Sequence, residues 1–187
     1  LDIPLFLIVG NHDAREPLRR VFNHHNYFPN EGFFHYALED FPLRLICLDT
    51  LKEGYIHGTL CTERLAWLDK TLSASPERPT MIFQHHPPIH IQTKWVDTLG
   101  LKKSDDYLKL LKQHPQIRVV SCGHVHQEFS GNLDDISVLT SPSTGLQFKN
   151  GTDMLECDSL PPGFRIFSLS DDSWNSQVIR LDNLKYN

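Results

Sequence analysis

Residues 117–127 read IRVVSCGHVHQ, an apolar run that ends in a glycine and two histidines. The apolar run predicts a buried strand. Side chains at positions i and i+2 of an extended segment face the same side, so His124 and His126 can both turn toward one point. Two converging imidazoles indicate a metal ion, although polar loop residues explain the pair equally well. The segment alone therefore predicts a strand and leaves its chemistry open.

Two further apolar runs end in the same way. The other two runs are residues 4–10 (PLFLIVG) and residues 78–88 (RPTMIFQHHPP), and both also predict buried strands. The first is followed by Asn11-His12-Asp13, and the second runs into His85-His86. In open α/β sheets, ligands bind in the crevice beyond the carboxyl ends of the strands. We therefore expect the three polar clusters to meet at one edge of a sheet. Imidazole and amide oxygen donors suit Zn, Fe or Mn, and the lack of cysteine among them favours a hydrolytic site over a structural one.

The rest of the chain completes an α/β pattern. Two paired strands are predicted at 32–40 and 43–50, and short alternating strands follow residue 128. Helices are predicted at 14–25, at 61–75 with Thr62 as N-cap, and at 104–115 with Ser104 as N-cap. This order predicts α/β layers with a second sheet, in a single domain over residues 1–187.

Composition excludes some partners. The chain has 187 residues, of which 40% are apolar and 22% charged, and its net charge of −5 gives no attraction to nucleic acid polymers or anionic membranes. Eleven histidines raise the expectation of a metal site. Four cysteines without a CxxC pair, and no apolar segment long enough to span a membrane, predict a cytoplasmic protein with no membrane association.

Three motifs, GNHD (10–13), HHPP (85–88) and GHVH (123–126), resemble in this order those of the calcineurin-like metallophosphoesterase superfamily. Four further stretches are similar to its bacterial 3′,5′-cyclic-AMP phosphodiesterase branch. They are DTL (49–51), HGTL (57–60), LAWLDKTL (65–72) and PSTGLQFK (142–149). The resemblance extends from Pro4 to Leu181. It implies a two-sheet α/β/β/α sandwich and a metal-dependent phosphodiester hydrolase.

The resemblance also implies a binuclear site for divalent ions of the Fe, Mn or Zn class. Asn11, His85 and His124 would hold one ion, and His126 would belong to the other. The superfamily places Asp-x-His and Gly-Asp-x-x-Asp motifs before GNHD, and neither occurs in this sequence. We therefore expect a fold truncated at its N-terminus and, without the bridging carboxylate, at most one weakly held ion and impaired activity. The first strand would be an open sheet edge, which makes a homodimer possible.

The same resemblance implies roles in binding and catalysis. His12 would lie beside the phosphate as a proton donor or charge stabiliser, oriented by Asp13. His86 would neighbour the metal ligands, and with His57 and Phe148 it is a candidate to contact the substrate. A turn histidine at His57 and a plain strand and turn around Phe148 explain those residues equally well.

The predicted reaction converts a 3′,5′-cyclic nucleotide such as cAMP to a nucleoside 5′-monophosphate, with a metal-activated water as nucleophile. Two alternatives stay open. One is a phosphodiesterase for glycerophosphodiesters or 2′,3′-cyclic nucleotides, and the other is a metal-poor scaffold with the same fold. We expect four further histidines to be solvated, namely His24, His25, His90 and His114.

Overall fold

The computed structural model describes residues 3–171 and 173–181. Four helices occur in this part of the chain: α1 (Arg15–Phe22), α2 (Thr62–Ser73), α3 (Lys94–Asp97) and α4 (Asp105–Gln113). The strands are β1 (Tyr36–Leu38), β2 (Arg44–Leu48), β3 (Gly58–Thr59), β4 (Thr80–Gln84), β5 (Leu101–Lys102), β6 (Ile117–Cys122), β7 (Phe129–Leu133), β8 (Ile136–Thr140), β9 (Gln147–Phe148), β10 (Cys157–Asp158), β11 (Gly163–Ser170) and β12 (Ser173–Arg180).

A six-stranded sheet with the order β1-β2-β4-β6-β8-β7 forms the centre of the fold. Strands β2, β4, β6 and β8 are parallel, while β1 and β7 pair antiparallel at the two edges. The register aligns Leu48 with Gln84, Gln84 with Cys122, and Cys122 with Thr140. The parallel strands therefore end together, and the residues that follow them share one edge of the sheet.

The two faces of this sheet are covered differently. Helices α2 and α4 cover one face, where Leu68, Leu72 and Leu111 pack against Ile82 and Val120. The β11–β12 hairpin covers the other face, where its apolar side chains meet Met81, Val119 and their neighbours. These layers confirm the mixed α/β class with a second sheet, whereas a single domain over residues 1–187 stays a prediction. No helix in the described ranges is both long enough and apolar enough to cross a membrane.

Residues 4–10 do not form a strand, so the prediction for this segment is wrong. Leu5 is half exposed, Val9 is buried, and no strand of the described residues pairs with the segment. Its carbonyl groups instead accept hydrogen bonds from tyrosines: Tyr27 Oη donates to Leu5 O (2.6 Å) and Tyr36 Oη to Leu7 O (2.7 Å). An apolar run becomes a strand only where a neighbour supplies backbone partners. A homodimer stays a prediction, but residues 4–10 do not form the open strand edge from which it was expected.

The helix starts also differ in detail from the prediction. Helix α2 (Thr62–Ser73) lies within the predicted range 61–75, but its N-cap is Cys61 in place of Thr62. Ser104 is the N-cap of α4 as predicted, but its side chain makes no capping hydrogen bond.

Asp49 follows β2 and ties α1 to the sheet. Its fully buried carboxylate accepts hydrogen bonds from Arg15 Nε (2.7 Å) and Nη2 (2.8 Å). Two backbone N–H groups, those of Phe34 and Leu51, also donate to it at 2.8 and 2.9 Å. A buried charge is tolerated when it is paired and hydrogen bonded in this way. Since Arg15 is the first residue of α1, the pair fixes the path of residues 11–13 just before it.

We predict that Asp49→Ala lowers the free energy of unfolding by about 3–5 kcal/mol, because the charge of Arg15 loses its buried partner. The control is Asp106→Ala, which removes an exposed pair with Lys109 (3.6 Å) and should change the free energy of unfolding by less than about 1 kcal/mol. Urea denaturation measures both. Equal effects of the two substitutions would contradict the role given to Asp49.

Candidate metal centre

Three donor atoms converge at the carboxyl edge of the sheet. Asn11 Oδ1 lies 2.8 Å from His85 Nε2 and 3.2 Å from His124 Nδ1, and the two ring nitrogens are 3.3 Å apart. Ligands that each lie about 2.0–2.2 Å from a common ion are separated by about 3 Å. The triangle therefore fits a single divalent cation, and these are the three residues expected to share one ion.

Close backbone approach makes the triangle possible. A Cβ atom on Gly10 would lie 2.8 Å from His85 Cε1, and one on Gly123 would lie 3.3 Å from His85 Nδ1. The His85 ring thus occupies the space that these two glycines leave free. His124 and His126 both have positive φ angles, 69° and 51°. Such a conformation is strained for residues other than glycine and is concentrated at functional sites.

The histidines of the cluster are uncharged at neutral pH. Burial is the main cause, and together with the neighbouring imidazoles it lowers the pKa of His85 to about 2 and that of His124 to about 4. Burial is also the main cause that lowers the pKa of His86 to about 3. Neutral imidazoles keep the lone pairs that a metal ion requires, so the cluster is in its metal-binding form.

His86 lies in the same cluster but has no free nitrogen. The metal-binding atoms of His85, His86 and His124 lie within 4.8 Å of one another. However, His86 Nε2 lies 3.0 Å from Ile56 O, which can only accept, and Nδ1 lies 2.8 Å from Thr50 Oγ1. Nε2 therefore carries the proton and Nδ1 accepts the hydroxyl hydrogen. Since the residue is also fully buried, His86 is a neighbour of the ligands, and its assignment as a substrate contact is corrected.

His126 is the residue that the resemblance assigns to a second ion. Its ring stacks on Phe148, with centroids 4.6 Å apart and an interplanar angle of 4°. Its Nδ1 is buried and has no hydrogen-bond partner among the described residues, an arrangement that costs about 1–3 kcal/mol unless a ligand satisfies the atom. The histidine cluster contains no carboxylate from residues 3–171 or 173–181. The donors present thus fit one complete ion site and one part of another.

A cleft of about 200 Å³ opens above the donors. Its floor is polar and its wall is apolar. The floor consists of Asn11, His12, His85, His124 and His126, and the wall of Ile56, Trp95, Val96, Leu99, Phe148 and Leu155. His12 and Phe148, the candidates for contacts with the phosphate and the substrate, both line this cleft, and their roles stay predictions.

Other predicted residues lie elsewhere. Asp13 Oδ2 accepts a hydrogen bond from Gly10 N (2.7 Å), and no hydrogen bond joins it to His12 within the described part of the chain. His57 packs beside Tyr55, with ring centroids 5.1 Å apart, and does not line the cleft. Both roles stay predictions without structural support.

His114 was expected to be solvated, and this expectation is wrong. The residue is only 7% exposed, and His114 Nε2 lies 2.8 Å from Asp69 Oδ1. It ends α4, which packs against α2, so tertiary packing buries it. His24 and His90 are exposed, as expected.

Two residues that support the site were missed in the sequence. Thr50 holds His86, and Gly58 lies so close to that ring that a Cβ atom would overlap it. The pair Asp49-Thr50 forms the end of a predicted strand, next to the edge where the histidine clusters lie, and that position was the available signal.

Comparison with known proteins agrees with this geometry. The family model described as calcineurin-like phosphoesterase matches residues 1–128. The chain is 37% identical over 148 residues to a probable glycerophosphodiester phosphodiesterase GpdQ of Arcobacter nitrofigilis. This match covers 79% of this chain and 54% of that protein. It is 32% identical over 189 residues to the 3′,5′-cyclic adenosine monophosphate phosphodiesterase CpdA of Pseudomonas aeruginosa, with coverage of 100% and 66%.

A solved structure supports the fold alone. The structure of a dimetal phosphatase from Danio rerio is similar to this one, with 17% sequence identity and a TM-score of 0.50. The match covers 59% of this chain and 49% of the Danio rerio chain. The chain belongs to the calcineurin-like phosphoesterase family. It spans between 54% and 66% of the lengths of the two curated relatives named above.

We predict that Gly10→Ala weakens Mn²⁺ binding at least about tenfold, because its Cβ displaces the His85 ring that supplies a ligand. The control is Gly145→Ala, whose Cβ would meet nothing closer than Ser143 Oγ at 3.7 Å. Isothermal titration calorimetry measures the affinity, and circular dichroism checks that both variants fold. Wild-type affinity in Gly10→Ala would contradict the packing constraint.

We also predict that the metal-free protein loses stability as the pH falls from 7 to 5.5. In the unfolded chain these histidines titrate near 6.5, while His85, His86 and His124 titrate at about 4 or below when folded. The unfolded state therefore binds more protons than the folded state throughout this window. As the pH is lowered, the free energy of unfolding decreases by at most about 1.4 kcal/mol per pH unit for each histidine.

Urea denaturation at several pH values measures this dependence. His85→Gln should flatten it, whereas His90→Gln, at an exposed position, should leave it unchanged. Equal stability at pH 7 and pH 5.5 would contradict the neutral state of the cluster.

Proposed function

We propose that this chain carries metal-binding residues of a phosphodiester hydrolase that converts 3′,5′-cyclic nucleotides to nucleoside 5′-monophosphates. The observation that carries the proposal is the convergence of Asn11 Oδ1, His85 Nε2 and His124 Nδ1 within 3.3 Å of one another. Mixed nitrogen and oxygen donors at the carboxyl edge of a parallel sheet suit a catalytic divalent ion. The same convergence weighs against a metal-poor scaffold.

The ion would be held by these three side chains, and His126 would contribute to a second ion. When bound, divalent ions of this class neutralise phosphate charge and lower the pKa of water. The ordered turn Gly10–Asp13, closed by the hydrogen bond from Gly10 N to Asp13 Oδ2 (2.7 Å), keeps the amide of Asn11 directed at the histidines. Donor placement is thus set by the protein before any ion binds.

His12 is the candidate proton donor. It lies on the same turn, is exposed, and lines the cleft beside Asn11. An imidazole in this place can stabilise charge on the phosphate oxygens or protonate the leaving alkoxide at the 3′ position. The product would then be the nucleoside 5′-monophosphate.

The cleft wall favours a nucleotide over a glycerol ester. Trp95 and Phe148 meet edge to face with centroids 5.0 Å apart, and Ile56 and Leu155 add apolar surface. Aromatic and aliphatic groups bind a nucleobase well and gain little from a polar glycerol. A glycerophosphodiester is the second candidate substrate, supported by the 37% identity to the protein named GpdQ.

A metal titration tests the proposal. We predict that the 187-residue chain binds at most one Mn²⁺ ion per molecule, and that its hydrolysis of bis(p-nitrophenyl) phosphate is weak and abolished by EDTA. His85→Ala should weaken binding at least about tenfold because a ligand is lost. His90→Ala, at an exposed position, is the control and should bind like wild type.

Each result has a defined meaning. Two tightly bound ions with rapid turnover would overturn the one-ion expectation, and the absence of both metal binding and hydrolysis would overturn the proposed function. Product analysis with cAMP and glycerophosphocholine separates the substrates. Faster cleavage of glycerophosphocholine would replace the first candidate with the second.

A further inference from the structure

Thr93 places a buried hydroxyl where three segments of the cleft wall meet. The residue is fully buried. Its Oγ1 lies 2.9 Å from Asn150 Oδ1 and 3.2 Å from Gln127 Oε1, and it accepts a hydrogen bond from Gly151 N at 3.1 Å. The single hydroxyl proton serves one amide oxygen at a time, while the lone pairs remain available to the Gly151 N–H. The Thr93 side chain therefore contacts two residues that lie 34 and 57 positions further along the sequence, Gln127 and Asn150.

Each linked segment contributes to the cleft. Thr93 immediately precedes α3, which carries Trp95. Gln127 follows His126, and its Nε2 donates to Lys149 O at 3.1 Å. The third segment is the β9–β10 hairpin, residues 147–158, whose first strand carries Phe148 and whose loop carries the apolar residues Met154 and Leu155. The wall of the cleft is thus assembled around Thr93.

The hairpin loop has few other attachments to the body of the protein. Met154 is 76% exposed and Leu155 is 60% exposed, although Leu155 lines the cleft. The ion pair from Lys94 Nζ to Asp153 Oδ1 measures 2.8 Å, but both side chains are more than 70% exposed. Exposed ion pairs contribute little because water screens them. The hydrogen bonds of the buried Thr93 hydroxyl with Asn150 and Gly151, together with the bond from Gln127 Nε2 to Lys149 O, therefore hold the start of this loop against the wall.

We propose that Thr93 is a positioning residue for substrate specificity, which holds the 147–158 hairpin as the surface that packs against an aromatic substituent of the phosphodiester. The identity of the ligand rests on the proposed function, whereas the attachment of the hairpin does not. Thr93→Val keeps the shape of the side chain but leaves the buried Gln127 side chain and the loop residues Asn150 and Gly151 without the hydroxyl. The loop then loses its buried tie while the metal donors stay in place.

Hydrogen exchange of the amides in residues 149–156 tests the attachment. We expect at least about tenfold faster exchange in Thr93→Val, because the loop opens more often. Thr93→Ser restores the hydroxyl and should exchange like wild type. Asp153→Asn, which removes only the exposed ion pair, is the matched control and should also exchange like wild type. Unchanged exchange in Thr93→Val would overturn the proposal.

Ligand binding to the Mn²⁺-loaded protein tests specificity. Diphenyl phosphate and dimethyl phosphate carry the same charge and differ in their aromatic groups, and calorimetry measures both affinities. We expect wild type and Thr93→Ser to prefer diphenyl phosphate at least about tenfold. Thr93→Val should lose most of this preference while its affinities for dimethyl phosphate and Mn²⁺ remain unchanged.

The outcomes separate the two proposals. If wild type binds both diesters equally, or if Thr93→Val keeps the preference, the specificity role of Thr93 is overturned while the proposed function stands. If wild type binds neither diester, the proposed function fails, and the specificity role fails with it. Hydrogen exchange in that case still reports whether Thr93 holds the hairpin.

Discussion

The position of the His85 ring is the constraint on which the site depends. The ring leaves the end of a central strand and enters a space bounded by the backbone of Gly10 and Gly123, where a Cβ at Gly10 would come within 2.8 Å of a ring carbon. Because the ring lies between these two chain segments, its Nε2 faces both Asn11 and His124. Any displacement of His85 would move its Nε2 away from both other donors, so a change in this backbone packing also changes the site.

Support for this ring comes from the neighbouring strand β2. Thr50 holds His86, whose ring centroid lies 4.8 Å from that of His85. Asp49 pairs with Arg15 and so fixes the start of α1, while Arg64 of α2 donates to the backbone carbonyl of Asp49 at 3.0 Å. These buried bonds are strong in a low dielectric and join the loops on either side of His85. The metal donors are thus placed by groups that never touch the ion.

The sequence predicts this edge of the fold better than it predicts the contacts within it. Parallel strands in register must end together, so the clusters after β4 and β6 could be assigned to one site from their spacing alone. Residues 4–10 read as a strand because apolar runs do, but a strand also needs a backbone partner, which a local pattern cannot reveal. The hydrogen bonds of His86 and Thr93 join residues 30–58 positions apart. Their roles depend on tertiary packing, as does the burial of His114.

The charge of the donor set bears on how the proposed metal site would serve a phosphodiester. Asn11 is neutral, and burial keeps His85 and His124 neutral as well. A divalent cation held by these three groups would retain its full charge, whereas a carboxylate ligand would cancel part of it. Neutral donors therefore bind the ion less tightly but leave it a stronger attraction for a phosphodiester anion in a cleft of low dielectric. The affinity for the ion and the affinity for the diester are coupled, so each should strengthen the other at this site.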